Sequence, residues 1–446
     1  MSNSDANRSD PQLTDPEFAN GFDVSPARSP LLTAALFFGV VFAAGAFAHY
    51  FRESLHWAID LYGSSTSPTT TARHLSRWVV FAMASSIVGI AAAIGTAVEK
   101  RWSGHVGVES VAASARGEER RISAAATALR GLATWIVSSG LVSIGRESAI
   151  IEAGGALGAV TARRLRGRGD MMAAVGIAAA FSAAYHAPLA AIIYVEEHLQ
   201  VRKSRRARWF VPIGAIGGHI VSAGLLGGKT IFPPIQGSRW TVLGLGLIAL
   251  VPAVLASRCF LELRLRVKAT HLTRKTGLPL WTTITLFSVA AGGAVALFPI
   301  AAGNGMEALR EASIRSTVAL AVGLTAGKVI GTLASLGAGA PGGVLTPTIS
   351  VSAGFALLTL LALRWLGFGV SSPWDGIVAA MAIGLAVGMR SPFGAIALVP
   401  ELLGDYGLIP AIAVIVFLAW VLNRGLDRLI EGRDQHPPAT VYDEDA

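Results

Sequence analysis

Apolar stretches long enough to cross a membrane recur from Leu31 to Val421, and no other feature of the chain restricts its fold as much. A hydrocarbon core is about 30 Å thick, so a helical crossing takes about 20 predominantly apolar residues. In lipid the backbone N–H and C=O groups need partners within the protein, which leaves helices or a closed barrel. The runs here are unbroken and rich in Ala and Leu, without the short alternating strands of a barrel. An all-α polytopic membrane protein is therefore expected. Composition agrees, since 52% of the 446 residues are hydrophobic and 15% charged, where a soluble domain carries about 25% charged residues.

Several functions are excluded on the same grounds. The net charge of +9 does not point to nucleic acid, because the basic residues stand in short runs between apolar segments and have no aromatic platform beside them. Cys259 is the single cysteine, and no spacing resembles a metal or redox motif, so neither a cofactor nor a metal is expected. An intramembrane enzyme needs a nucleophile with a base, or a metal set. The chain has no paired His motif and no Gly-x-Ser-x-Gly, and an enzyme is not expected. Residues 1–29 are polar and lack the pattern of a cleavable signal, which predicts a disordered tail before a retained first helix. The membrane domain is expected over residues 30–425, with a short polar cytoplasmic tail over 426–446.

The first runs, Pro30 to Gly63 and Arg77 to Glu99, read as full spans joined by a Ser/Thr-rich turn. After them the pattern is broken by Gly, Pro and charge. Met171 to Tyr185 and Ala187 to Leu199 are short for crossings and are joined by the tight turn at His186-Ala187-Pro188, so they read as a hairpin that enters and leaves on one side. That puts Arg163, Arg164, Arg166 and Arg168 on the same face as Arg202, Lys203, Arg205, Arg206 and Arg208, and the positive-inside rule makes that face cytoplasmic. Ala187-Pro188-Leu189 through Glu196-Glu197 matches Ser391-Pro392-Phe393 through Pro400-Glu401, with Pro, Ala, Ile, Val and Glu in register. The first copy ends on the basic side and the second on the other. An inverted-topology repeat of broken and tilted helices, over about residues 77–208 and 278–425, accounts for both.

Two stretches carry the chemistry. Gly145-Arg146-Glu147-Ser148-Ala149 puts a charged pair between apolar runs, and an ionisable residue inside a membrane is costly enough to be a functional hypothesis by default. Gly339-Ala340-Pro341-Gly342-Gly343-Val344-Leu345-Thr346-Pro347 occupies the corresponding position in the second half. Each stands just before a helix. The first amides of a helix have no intrahelical acceptor, so they hold an anion by N–H groups and the positive dipole end without a full charge to trap it. Glycine also permits close helix packing in membranes. From spacing alone the two uses stand level.

These motifs resemble those of the CLC family of chloride channels and proton/chloride exchangers. Gly145-Arg146-Glu147 matches its Gly-Arg-Glu-Gly-Pro motif, Gly339 to Pro347 its Gly-x-Pro-Gly-Gly-x-Phe-x-Pro motif, and His186 to Glu197 its Asn-Ala-Pro-Leu element, in family order over about residues 30–425. The resemblance implies a homodimeric, multi-pass protein of a bacterial plasma membrane that moves chloride or a similar monovalent anion. Exchange against protons is the leading expectation, because both family glutamates are retained. Glu147 would be the gating glutamate and Glu197 the internal proton-transfer glutamate. Backbone amides of Gly145, Arg146, Glu147, Ser148, Val344 and Leu345 would line the anion sites. A passive or loosely coupled chloride channel is the alternative, followed by a fluoride/proton antiporter and a non-transporting membrane protein. Read without the resemblance, Glu197 beside Glu196 and a basic cluster suits a surface ion pair.

The chain departs from the family pattern at four places. Ser148-Ala149 stand for Gly-Pro, and Leu345 stands for Phe. Val106 stands at the position of a serine whose hydroxyl is an anion ligand, and the family's late tyrosine has no counterpart, since Tyr442 lies in the polar tail. Lys328, in an apolar run, reads as a snorkelling or structurally paired residue.

Overall fold

The computed structural model describes residues 30–63, 65–118, 122–164, 169–199, 207–227 and 230–431. The expected N-terminal tail and residues 432–446 lie outside these residues, as do Arg166, Arg168, Arg202, Lys203, Arg205 and Arg206, while 426–431, expected as tail, continue the last helix. The described chain is helical, and its β pairing is confined to two isolated bridges, Ser143 with Gly303 and Gly145 with Gly343. Seven of the described helices are long and apolar enough to cross a membrane, from Leu31–Asp60 to Tyr406–Leu429. The chain is thus an integral, multi-pass membrane protein of the all-α class.

Local chemistry sets the helix ends. Ser76, Ser123 and Ser238 accept a backbone N–H from the first turns of the helices Arg77–Arg101, Ala124–Ser139 and Arg239–Arg266, a cap worth about 1 kcal/mol each. Proline opens Pro188–Ile193, Pro373–Gly388 and Pro392–Leu403, where its missing N–H is no loss. Gly339 and Gly404 close the helices Lys328–Ala338 and Pro392–Leu403 in the left-handed conformation. Helices Glu147–Arg164 and Gly169–Tyr185 pack backbone to backbone: a Cβ on Gly154 would lie 2.4 Å from the Gly176 carbonyl oxygen, and one on Gly158 1.9 Å from that of Met172. Small residues thus do the packing that membranes favour.

The order of elements runs through the chain twice. Pro30–Asp60, Pro68–His74, Arg77–Arg101, Val108–Ala115 and Ala124–Ser139 are followed by Glu147–Arg164, Gly169–Tyr185, Pro188–Ile193 with the π-helical turn Tyr194–His198, and Ala207–Leu226. From Arg239–Arg266 the sequence of lengths begins again and ends with Ile409–Glu431. The repeat is longer than the sequence match suggests, because the two opening helices share length but no motif. Where Gly63 to Thr71 reads as a turn, a short helix forms from Pro68 to His74, its Ser67 cap accepting from Thr70 N–H. The last helix runs ten residues beyond Val421 to Glu431, as an amphipathic extension. Arg258, on the way to the basic stretch that ends at Lys275, meets Asn423 and Asp427 of that extension, so both ends share one face. We call it the basic face.

Candidate functional site

The two glycine stretches meet. Gly145 N–H donates to Gly343 O at 2.9 Å and Gly343 N–H to Gly145 O at 2.7 Å, an antiparallel pair across the two halves. A Cβ on Gly145 would stand 2.4 Å from the Gly343 oxygen, so only glycine lets the strands approach. A third loop joins them, because Ile144 N–H donates to Gly303 O at 3.3 Å. Thr134 and Ser143 pin the rims through Pro341 O and the Thr332 hydroxyl at 3.2 and 3.0 Å.

Glu147 is the first residue of its helix and only 5% exposed. Its carboxylate folds back over the helix end: Oε2 accepts from Arg146 N–H at 3.0 Å, and Oε1 accepts from Asn304 Nδ2 at 2.5 Å. Asn304 is held in turn, its Oδ1 accepting from Met306 N–H at 3.2 Å. Beneath this loop Lys328 is fully buried and donates to Ala301 O at 3.0 Å and to Gly303 O. It does not snorkel; it is a strut under the loop that carries Asn304. The carboxylate therefore occupies a helix N-terminus, the kind of place an anion would take.

In the second half Val344 precedes the helix Leu345–Trp365, whose first turn has no side-chain cap. The Tyr185 hydroxyl, in a fully buried side chain, lies 3.3 Å from the Thr346 hydroxyl in that turn. Val106 belongs to a different neighbourhood. Its carbonyl accepts from the Ser110 hydroxyl at 2.9 Å, and the next residue, Gly107, donates its N–H to Glu152 at 2.9 Å. Glu152, also near Arg130, thus ties this loop to the Glu147 helix. No hydrogen bond among the described residues joins Val106 to the Gly145–Gly343 pair.

Glu197 stands in the π-helical turn Tyr194–His198 and caps a helix of the other half. It accepts from Phe393 N–H at 3.2 Å, Gly394 N–H at 2.8 Å and the Ser391 hydroxyl at 2.7 Å. The repeat returns the favour: Glu401 accepts from Leu189 and Ala190 N–H at 2.9 and 2.8 Å, and from the Tyr406 hydroxyl at 3.2 Å. Helices Pro188–Ile193 and Pro392–Leu403 therefore run antiparallel, each start held by the carboxylate near the other's end. That is the signature of an inverted repeat.

Asn304, Tyr185 and Arg52 escape a reading of the sequence alone. Asn304 sits in a short Gly-flanked connection, Tyr185 ends an otherwise Ala-rich helix, and Arg52 is a single cation in an apolar span. Only the last carries a signal, a charged pair with Glu53 inside an apolar span.

Fold and site together define a helical membrane protein whose inverted halves join at two glycine loops beside a buried carboxylate. Residues 90–424 match the family of voltage gated chloride channels, and the chain belongs to that family. Among relatives, the voltage-gated ClC-type chloride channel ClcB of Escherichia coli O81 (strain ED1a) is 27% identical over 313 residues, covering 68% of this chain and 74% of that one. ClcB of Salmonella typhi is 28% identical over 322 residues, with 68% and 73% covered. In structure the chain resembles a slow cyanobacterial Cl⁻/H⁺ antiporter, with a TM-score of 0.73, 17% identity and 92% and 98% of the two chains covered. A CLC-type fluoride/proton antiporter gives 0.69, 18%, 90% and 98%.

Proposed function

We propose that this protein carries chloride or a similar monovalent anion across the membrane in exchange for protons, with Glu147 as the gate and Glu197 as the proton-transfer carboxylate toward the basic, cytoplasmic face. The observation that carries this reading is the Glu147 carboxylate folded over the start of its own helix beside the paired loops at Gly145 and Gly343. A carboxylate there competes with an anion for the amides of Arg146, Glu147 and Ser148, whereas the Gly145 amide, expected to join them, is held by the Gly343 carbonyl. Protonation removes its charge, and with it its claim on the helix end. The amides of Val344 and Leu345 face the same task in the second half without a side-chain cap to compete. Val106 enters this reading only as the residue at the family's serine position. The Tyr185 and Thr346 hydroxyls are nearer to the Leu345 helix start.

Reconstituted vesicles with an imposed chloride gradient test the assignment. Uphill proton movement that vanishes in Glu197→Gln while anion flux persists is the expected result; proton movement indifferent to that change removes Glu197 from the pathway. A loosely coupled channel is the second reading, and one observation favours it: the bonds Glu197 accepts from Ser391, Phe393 and Gly394 serve a helix cap. Repeating the assay with fluoride separates a fluoride carrier from a chloride carrier. We also propose a homodimer, for which cross-linking in the membrane is the test.

A further inference from the structure

Against Glu147 lies a cavity of about 20 Å³, room for one water-sized species. Its walls hold three guanidinium groups, from Arg52, Arg146 and Arg310, and two carboxylates, Glu147 and Glu307, together with His56. With His56 neutral, three cations face two anions, so one positive charge is left over.

These groups do not satisfy one another. Arg52 gives Nη1 to Ala184 O at 3.2 Å, while its Nε is buried and has no hydrogen-bond partner. Arg310 gives Nε to Ile231 O at 2.8 Å. Arg146 approaches Glu307 no closer than 3.9 Å, well beyond the roughly 2.7–2.9 Å of a charge-assisted hydrogen bond. Oε2 of Glu307 is likewise buried and unpartnered. Had the cluster been built only to neutralise itself, the guanidiniums and the Glu307 carboxylate would close into forked pairs. Instead they stand apart around a space the size of one small ion.

Arg52 brings a first-helix cation to the cluster. It lies in the helix Pro30–Asp60, before the residues 90–424 that match the family. A cation in a span is retained at a cost, and such residues characteristically serve an ion path.

We propose that this cavity is a capture site for a small monovalent anion, held by Arg52, Arg146 and Arg310 before Glu147 yields the helix end behind it. The inference deepens the transport reading and rests on Glu147 being the gate. The single positive charge left over suits a monovalent anion. Guanidinium is weakly hydrated and spreads its charge, and Glu307 opposes tight retention, so the captured ion is released onward rather than trapped. Charge focused in a low-dielectric cleft raises local ion concentration and arrival rates by about 10 to 10³.

Bromide supplies the test. Crystals of the full chain soaked in bromide, measured at the bromine absorption edge, are expected to show an anomalous peak bordered by the three guanidiniums, and Arg52→Gln to abolish it while Arg52→Lys keeps part of it. A wild-type map without that peak overturns the proposal, as does a peak that survives Arg52→Gln undiminished. In vesicles, Arg52→Gln and Arg310→Gln are expected to raise the half-saturating bromide concentration about tenfold on the cavity side relative to the basic face. Equal shifts on both sides overturn the directional role. The two readings fail differently: flux without the peak removes the capture site, whereas the peak without flux keeps the site and removes transport.

Discussion

Glu147 and Glu197 are both carboxylates at helix N-termini, yet they are held in opposite ways. Glu147 covers the start of its own helix, with one backbone bond from the residue before it, one side-chain bond from Asn304 and a cavity at its side. Glu197 covers the start of a foreign helix through two backbone amides and a hydroxyl. Releasing the first disturbs a single turn. Releasing the second uncaps Pro392–Leu403 and loosens the joint between the halves. In the exchange proposed above, the first would be the carboxylate that swings and the second the one that stays.

The strongest way to break this comparison is Glu147→Gln. Proton movement is expected to fall to background, and anion flux to become independent of pH across the range in which a carboxylate titrates; a retained pH response, read in vesicles at matched chloride, removes Glu147 as the gate. Next come Glu197→Gln and its symmetry mate Glu401→Gln. Each weakens charge-assisted hydrogen bonds and is expected to cost about 1.5–3 kcal/mol of stability, measured by thermal unfolding in detergent. Faster hydrogen exchange is expected at Phe393 and Gly394 in the first variant, and at Leu189 and Ala190 in the second. An unchanged melting temperature in Glu197→Gln with lost proton transport would make that residue as free as Glu147.

Asn304→Leu sharpens the contrast from the other side. It removes the donor that keeps Glu147 folded back, a bond to a charged group worth about 1.5–3 kcal/mol, and a rise of about tenfold or more in anion flux at fixed pH is expected. Flux at the wild-type level would leave Arg146 N–H as the sole restraint. The smallest effect is assigned to Tyr185→Phe. Loss of one hydroxyl beside Thr346 is expected to raise the half-saturating chloride concentration about twofold, within the range of a single neutral hydrogen bond.

Much of the fold is legible because lipid makes it so: apolar length, Gly and Pro breaks and basic connections give the long helices, but not the short ones at Pro68–His74, Val108–Ala115, Ala269–Thr276 and Met306–Ile314. The pairing of Gly145 with Gly343 is legible too, as two glycine stretches in matched positions. What binds those stretches into a site is not. Asn304 reaches Glu147 across 157 residues, and Glu401 caps amides more than 200 residues away. Helix-cap patterns in sequence are local, with the cap and its amides within one turn, so a cap donated by the other half leaves no trace. Lys328 is visible as a charge but its acceptors are carbonyls, which any residue supplies. The π-helical turn that sets Glu197 has no composition of its own.

The crossed caps also impose an order on the making of the protein. The start of Pro188–Ile193 lacks its carboxylate until Glu401 has been synthesised, and Glu197 has nothing to hold until Ser391 to Gly394 arrive. The first half can therefore enter the bilayer but cannot finish. Its exposed helix start waits, through about two hundred residues of synthesis, for a single side chain near the end of the chain. A truncation just before Glu401 would leave the start of Pro188–Ile193 uncapped while Glu197 kept its own partners, and one just before Ser391 would leave both caps unmade.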